Sequence, residues 1–244
     1  MSTTATQTGA GDVDIGQVFS RSFDILFRNL VKFVALNAIV FLPLLAYQLV
    51  FQRTLGGGQA TNAIGGLLGF VLAFVAQAAA LYGAFQQMRQ KPFEIGESLQ
   101  KGLRRLGPVV GTAICAGLGT MFGFILLIVP GLILLTMWYV ALPACVLENV
   151  GPFEALSRSA FLTKGNRWKV FGIAVVIGIL AMIASFVLTA VLGFAIGWIG
   201  IIVASYLSDV LIYSFGSVVV AVVYHDLRVA KEGVDVERIV AVFE

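Results

Sequence analysis

Six apolar runs, at residues 33–51, 63–85, 109–129, 132–147, 170–192 and 203–223, make up about half of this chain. They hold 19, 23, 21, 16, 23 and 21 residues. About 20 apolar residues in a helix cross a hydrocarbon core of about 30 Å. Five runs reach that length; the fourth is short, so its ends draw on neighbouring residues or sit in locally thinned bilayer. Composition agrees: 59% of the 244 residues are hydrophobic and 12% are charged, against about 25% charged in a soluble domain. Most soluble enzymes, disordered regulators and nucleic-acid binders are excluded. The net charge of +3 does not restore a nucleic-acid partner, because the cations lie between apolar runs rather than on one basic face.

The cations also orient the chain. Arg21, Arg28 and Lys32 precede the first run; Arg89, Lys91, Lys101, Arg104 and Arg105 follow the second. Arg158, Lys164, Arg167 and Lys169 follow the fourth, and Arg228, Lys231 and Arg238 the sixth. Six spans place fifteen of the sixteen basic residues on one side, with Arg53 opposite. The positive-inside rule makes the crowded side cytoplasmic, with both termini there. Residues 1–12 carry no basic residue before an apolar stretch, so they read as a disordered tail rather than a cleavable signal. Cys115 and Cys145 sit at similar depth in runs three and four, and a reducing compartment argues against their pairing.

An amphipathic stretch precedes each pair of runs. In the first, Ile15, Val18, Phe19, Phe23, Leu26, Phe27 and Leu30 recur at helical spacing; in the second, Ile95, Leu99, Leu103 and Leu106. The third opens at Pro152 after Gly151 and is lined by Phe153, Leu156 and Ala160. Val18-Phe19-Ser20-Arg21-Ser22 aligns with Ser98-Leu99-Gln100-Lys101-Gly102 and with Ala155-Leu156-Ser157-Arg158-Ser159. This suggests three copies of one unit, an interfacial helix followed by a hairpin; any basic amphipathic helix would share part of the pattern. Such helices lie at headgroup level with their cations near anionic lipid.

Small residues mark close packing. Gly111, Cys115, Gly119 and Gly123 stand four apart in run three, Ala181, Ser185, Thr189 and Gly193 in run five, and Gly65, Gly69 and Ala73 in run two. Spans two, three and five are therefore expected at contacts, within the chain or between copies. Pro130-Gly131 is expected to turn span three into span four. Pro43 and Pro143 are expected to kink spans one and four. Trp168 and Trp198 fall at opposite boundaries, and Trp138 mid-span.

Chemistry is sparse. Asp209 is the acidic residue inside a run, with Ser205, Ser208, Gly216, Ser217 and Tyr213 on or near its face. It either lines a small-solute path or, near the outer helix end, is wet or bonded to neighbouring Ser, Tyr or Trp198. His225, the single histidine, and two distant cysteines make no metal site. No hydrolase elbow, phosphate loop, zincin helix or dinucleotide fingerprint occurs. No catalytic residue, cofactor or metal is expected.

Residues 138–168 carry Leu142-Pro143-Ala144, Glu148, Ala155-Leu156, Arg158-Ser159, Leu162, Gly165 and Trp168. In that spacing the chain resembles the bacterial glycerophosphoryl diester phosphodiesterase membrane domain family and its uncharacterised inner-membrane relatives. The tail Tyr224-His225-Asp226-Leu227-Arg228, then Lys231-Glu232-Gly233 and Asp235, is similar too. In the enzymes that give the family its name, catalysis belongs to a separate soluble barrel. The resemblance therefore implies a membrane part without catalytic residues, acting as anchor, partner or lipid-linked accessory.

The expectation is an all-α integral membrane protein with six spans in three hairpins, each preceded by a cytoplasmic interfacial helix. The tail covers 1–12, the membrane domain 13–228 and a cytoplasmic tail 229–244. Its place is a bacterial inner membrane and its role an accessory or scaffold in envelope or lipid homeostasis. A small transporter or channel at Asp209, or an enzyme acting on lipid headgroups, are the alternatives. Glu148, Arg158, Lys164, Arg167, Trp168, Arg104, Arg105, Asp226 and Arg228 form a candidate cytoplasmic interface for anionic headgroups, a protein partner or a second copy. Glu148 is expected to pair with Arg158, Lys164 or Arg167.

Overall fold

The computed structural model describes residues 13–54 and 58–233. The expectations for the leader 1–12, for the glycine turn at 56–57, and for Arg238 and the rest of 234–244 fall outside them. Every regular element among the described residues is an α-helix. In chain order these are α1 (Ile15–Arg28), α2 (Leu30–Thr54), α3 (Gln59–Met88), α4 (Ile95–Arg104), α5 (Leu106–Leu126), α6 (Ile128–Met137), α7 (Ala141–Leu147), α8 (Pro152–Thr163) and α9 (Arg167–Glu232).

Five stretches are long and apolar enough to cross a membrane: 30–51, 59–88, 106–126, 128–147 and 167–232. The last runs to 66 residues and is two helical arms. Ile196 (φ −133°, ψ 20°) and Gly197 (φ 62°, ψ −138°) leave the helical region. The second arm folds back along the first, so that Ile177, Ala181 and Ala184 face Leu211 and Phe215 across a small apolar gap. Gly200 is buried where a side chain would strike the carbonyl of Leu192. Only glycine permits so tight a reversal.

Short helices precede the long segments, and their starts follow local chemistry. Asp14 caps α1 by accepting from the Gln17 amide at 3.0 Å. Pro152 opens α8 at a position that needs no amide donor. Single non-helical residues, Asn29 and Arg105, separate α1 from α2 and α4 from α5.

The prolines act differently from one another. α2 runs through Pro43 as one helix. The α6–α7 segment is interrupted at 138–140, one turn before Pro143. A proline ring clashes with the carbonyl four residues back, here Tyr139, and its missing amide leaves that carbonyl unbonded. The α5–α6 reversal occurs at Leu127, in extended backbone, rather than at Pro130-Gly131. Those two residues lie in the first turn of α6, where proline costs no backbone bond.

The glycine ridge of α5 packs on its own hairpin partner. A methyl on Gly119 would come within 2.5 Å of the Trp138 ring, and one on Gly123 within 3.0 Å of the Gly131 backbone. The ridge of α9 faces the second arm instead, with Gly193 against Ile201. The expected grouping of spans two, three and five is thus only partly formed: α3 touches α5, but it meets α9 at the second arm, where Phe85 packs on Tyr224, and α5 and α9 are not packed on each other. The main core gathers Val18, Phe33, Leu36, residues 79–81, Phe93 and the unbroken buried run 218–224 of α9. Cys145 is buried in a smaller cluster with Val109, Ala78 and Ala155, and both cysteines are free.

Candidate functional site

A charged cluster forms where α7, α8 and the end of α9 meet. Glu148 caps the C-terminus of α7. The Arg158 Nε of α8 donates to both its carboxylate oxygens, at 2.9 and 2.8 Å. The Tyr224 hydroxyl of α9 donates to Glu148 Oε1 as well. Arg158 donates to Glu232 through Nη2, and Glu232 also accepts from Arg228 Nε at 2.9 Å, one turn back on α9. Five side chains from three elements thus form one chain of charge-assisted bonds, the strong kind. Partial burial disfavours the Arg158 cation, but hydrogen bonds and charge from Glu148 and Glu232 outweigh that and raise its pKa. At Glu232 burial works against the carboxylate, and the bonds from Arg228 and Arg158 prevail, lowering its pKa.

Two further ties lie nearby in sequence. Arg21 of α1 pairs with Asp226 of α9 at 3.0 Å, and His225 Nδ1 lies 3.1 Å from the same oxygen. Arg105 donates to the side-chain Oδ1 of Asn149, beside Glu148. The geometry therefore joins Glu148 to Arg158 directly and Arg228 to them through Glu232, and ties Asp226 to α1 and Arg105 to Asn149. Lys164 and Arg104 are exposed and outside these contacts. Arg167 and Trp168 begin α9 beside α6, at an apolar cleft lined also by Val129, Ile133 and Phe171.

The aligned positions of the three short helices behave alike. Val18, Ser98 and Ala155 are each fully buried, and so, four residues on, are Ser22, Gly102 and Ser159. A small residue every four lets each helix lie close against a long one; Gly102 sits against the Ala79 backbone, and Ser159 Oγ donates to the Met137 carbonyl at 2.7 Å. The basic residue between them reaches one of the membrane-length segments in each case. Arg21 meets Asp226 of α9, Lys101 lies 5.9 Å from the Tyr82 ring of α3, and Arg158 meets Glu148 of α7.

The Asp209 group is arranged otherwise. Asp209 is half-buried and has no hydrogen-bond or ion-pair partner among the described residues. Ser205 bonds back to the Ile201 carbonyl at 2.9 Å. Tyr213 packs on Phe41 with ring centroids 5.1 Å apart. Ser208 Oγ is buried without a partner. No hydrogen bond joins these four residues to one another. On the same arm, Ser214 Oγ bonds the Val210 carbonyl and accepts from Asn37 of α2 at 3.0 Å. Among the described residues no cluster of His, Cys, Asp or Glu is placed to hold a metal ion.

Sequence reasoning passed over Tyr224, Glu232, Asn149, Arg21 and Asn37 as parts of these networks. Glu232 had a readable signal, four residues after Arg228 on one helix face. The reach of Tyr224 to Glu148 depends on tertiary packing and has no local signature.

Fold and cluster together define a class: an all-helical protein with the long apolar helices of a membrane protein, its short helices tied to the membrane-length segments by polar contacts. The chain belongs to the family described as a domain of unknown function (DUF7847), which matches residues 95–230. That span begins at the first residue of α4 and takes in most of α9, including Glu148, Arg158, Tyr224 and Arg228. No curated protein and no solved structure matches the chain.

Proposed function

We propose that this chain is a six-pass protein of a bacterial inner membrane, with both termini cytoplasmic, serving as a non-catalytic scaffold or accessory in envelope or lipid homeostasis. The observation that carries this reading is the Glu148–Arg158–Glu232–Arg228 chain with Tyr224. Its charged groups satisfy one another, which suits a clasp holding a bundle together better than a centre that acts on a substrate. The break at Gly197 supports counting α9 as two spans. The matching burial of the three short helices supports three repeats of one unit. In that reading each short helix grips the returning span of the unit before it: the second grips the first, the third grips the second, and the first, through Arg21 and Asp226, grips the third. The ring of contacts closes on the cytoplasmic side. The resemblance to the membrane part of glycerophosphodiester phosphodiesterases, whose catalysis resides in a separate barrel, supports the same role.

Tags at the two termini should both report from the cytoplasm. The protein purified in nanodiscs should carry a protein partner, released by charge reversal at exposed Arg104 with the fold intact. Termini on opposite sides would overturn the topology. Turnover of a lipid or glycerophosphodiester that stops with His225→Ala would overturn the non-catalytic role. One observation favours a second reading, a small-solute path: Ser208 Oγ and Ser217 Oγ, on the same arm as unpaired Asp209, and Asn37 Oδ1, against that arm at Ser214, are buried without partners. Flux in proteoliposomes that Asp209→Asn abolishes would establish it.

A further inference from the structure

The cleft between α6 and the start of α9 combines apolar walls with a single cation. Its volume is about 310 Å³, at the small end of ligand pockets. One wall is Val129, Leu132, Ile133 and Thr136, and the other is Phe171, Trp168 and Arg167. The Thr136 hydroxyl already bonds the carbonyls of Leu132 and Ile133, so six of the seven lining residues offer apolar surface or satisfied groups. Arg167 is the exception. Its Nε is buried without a hydrogen-bond partner, and it has no carboxylate partner among the described residues. A nitrogen so buried is closed to a ligand, so a headgroup meets this half-buried side chain through its two Nη nitrogens, which carry no hydrogen bond among the described residues. The Trp168 ring stands edge-on to Phe171, with centroids 6.1 Å apart, and is 84% exposed. Val129 and Ile133 are exposed too. The cleft thus opens outward, apolar along its length and cationic at one end.

We propose that this cleft is a binding site for one anionic glycerophospholipid, its phosphate on Arg167 and an acyl chain along Val129, Leu132, Ile133 and Phe171. The inference rests on the membrane reading above and deepens it from a general basic belt to a single site. Both walls belong to segments apolar enough to cross a membrane, so the occupant arrives from the bilayer. A phospholipid satisfies both halves of the cleft at once. A guanidinium presents paired donors that match a phosphate, and the aromatic pair suits the depth where headgroup meets chain. Arg158, by contrast, is committed to Glu148 and Glu232 and is not available to a headgroup.

The test uses the full chain reconstituted in vesicles of phosphatidylethanolamine with a minority of phosphatidylglycerol. The protein is then extracted in mild detergent and weighed by native mass spectrometry. One phosphatidylglycerol per chain should be retained, enriched about fivefold over its share of the vesicle, in line with one cation at a lipid surface. Arg167→Gln should remove the enrichment and Arg167→Lys should keep it. Ile133→Trp, which fills the cleft while leaving its charge, should release the lipid. Arg89→Gln, at an exposed cation away from the cleft, should retain it. Retention without headgroup preference, or enrichment that survives both Arg167→Gln and Ile133→Trp, overturns the site. Failure of the chain to float with the vesicles at all overturns the membrane reading instead.

Discussion

The two arms of α9 have similar apolar character and opposite surroundings. Residues 218–224 of the second arm are buried without a gap, whereas the first arm exposes Met182, Ile183, Phe186, Val187, Val191 and Phe194. The second arm is enclosed by α1, α2 and α3. The first lies mainly on its own partner arm, with α6 and α8 near its start. Side-chain size follows this division. The buried run is Val and Ala up to Tyr224, which lets other helices come close; the exposed positions hold large side chains that need no fit. When lipid and protein interior are equally apolar, hydropathy marks a span but not its neighbour. Size and shape carry that second piece of information.

The same ring placed in each arm should separate them most sharply. Ala221→Phe inserts a ring into a fully buried position and should cost about 3 kcal/mol or more, seen as loss of the monodisperse peak in detergent. Val187→Phe, at an exposed position on the first arm, should shift the thermal midpoint hardly at all. Equal damage from both would mean that the first arm is covered by a partner or a second copy.

The clasp gives the next largest effect, because it fastens the enclosed arm to α8. Arg158→Leu leaves Glu148 and Glu232 partly buried and short of a cation, at a cost of about 2–3 kcal/mol. Glu148→Gln combined with Arg158→Leu should cost less than the two single changes added together, which a double-mutant cycle in detergent would measure. Strict additivity would mean that the pair is not coupled. Gly197→Ala tests the boundary between the arms. The backbone there (φ 62°, ψ −138°) is strained for any residue with a Cβ, and the change should cost about 1–2 kcal/mol. Gly178→Ala, helical and with nothing near a new methyl, should be neutral or slightly stabilising.

The helices were legible because apolar runs of this length leave few alternatives. The α1 cap at Asp14 and the start of α8 at Pro152 were readable from local chemistry. The pairing of Glu148 with Arg158 was open to inference because two charged residues flank a short turn beside an apolar segment. Other features depended on contacts between distant segments. Nothing local says that Gly119 meets Trp138 rather than another span, or that Tyr224 bonds Glu148. Pro-Gly reads as a turn, which puts the α5–α6 reversal three residues late, because proline is equally at home in the first turn of a helix. The Asp209 stripe shows the limit of periodicity: four polar residues near one face did not form one network, since Ser205 and Tyr213 each found partners elsewhere.

The smallest effect concerns the end of the enclosed arm and its dependence on pH. Glu232 has a carboxylate whose pKa in the folded protein lies below the ordinary value near 4.5: burial raises it, but the bonds from Arg228 and Arg158 lower it further. A folded pKa below the unfolded one means that the stabilisation is fully present above the unfolded value and disappears as the pH falls through the folded one. The thermal midpoint should therefore be flat from neutral pH down to about 5, as far as this group is concerned, and decline below about 4.5. Glu232→Gln should lower the neutral-pH midpoint by a degree or two, about 0.5 kcal/mol, and make the acid decline shallower. The exposed Glu154 of α8 has no ion pair among the described residues, and Glu154→Gln should leave the profile unchanged. If both substitutions gave the same profile, Glu232 would not be fastening the second arm, and the difference between the arms would rest on packing alone.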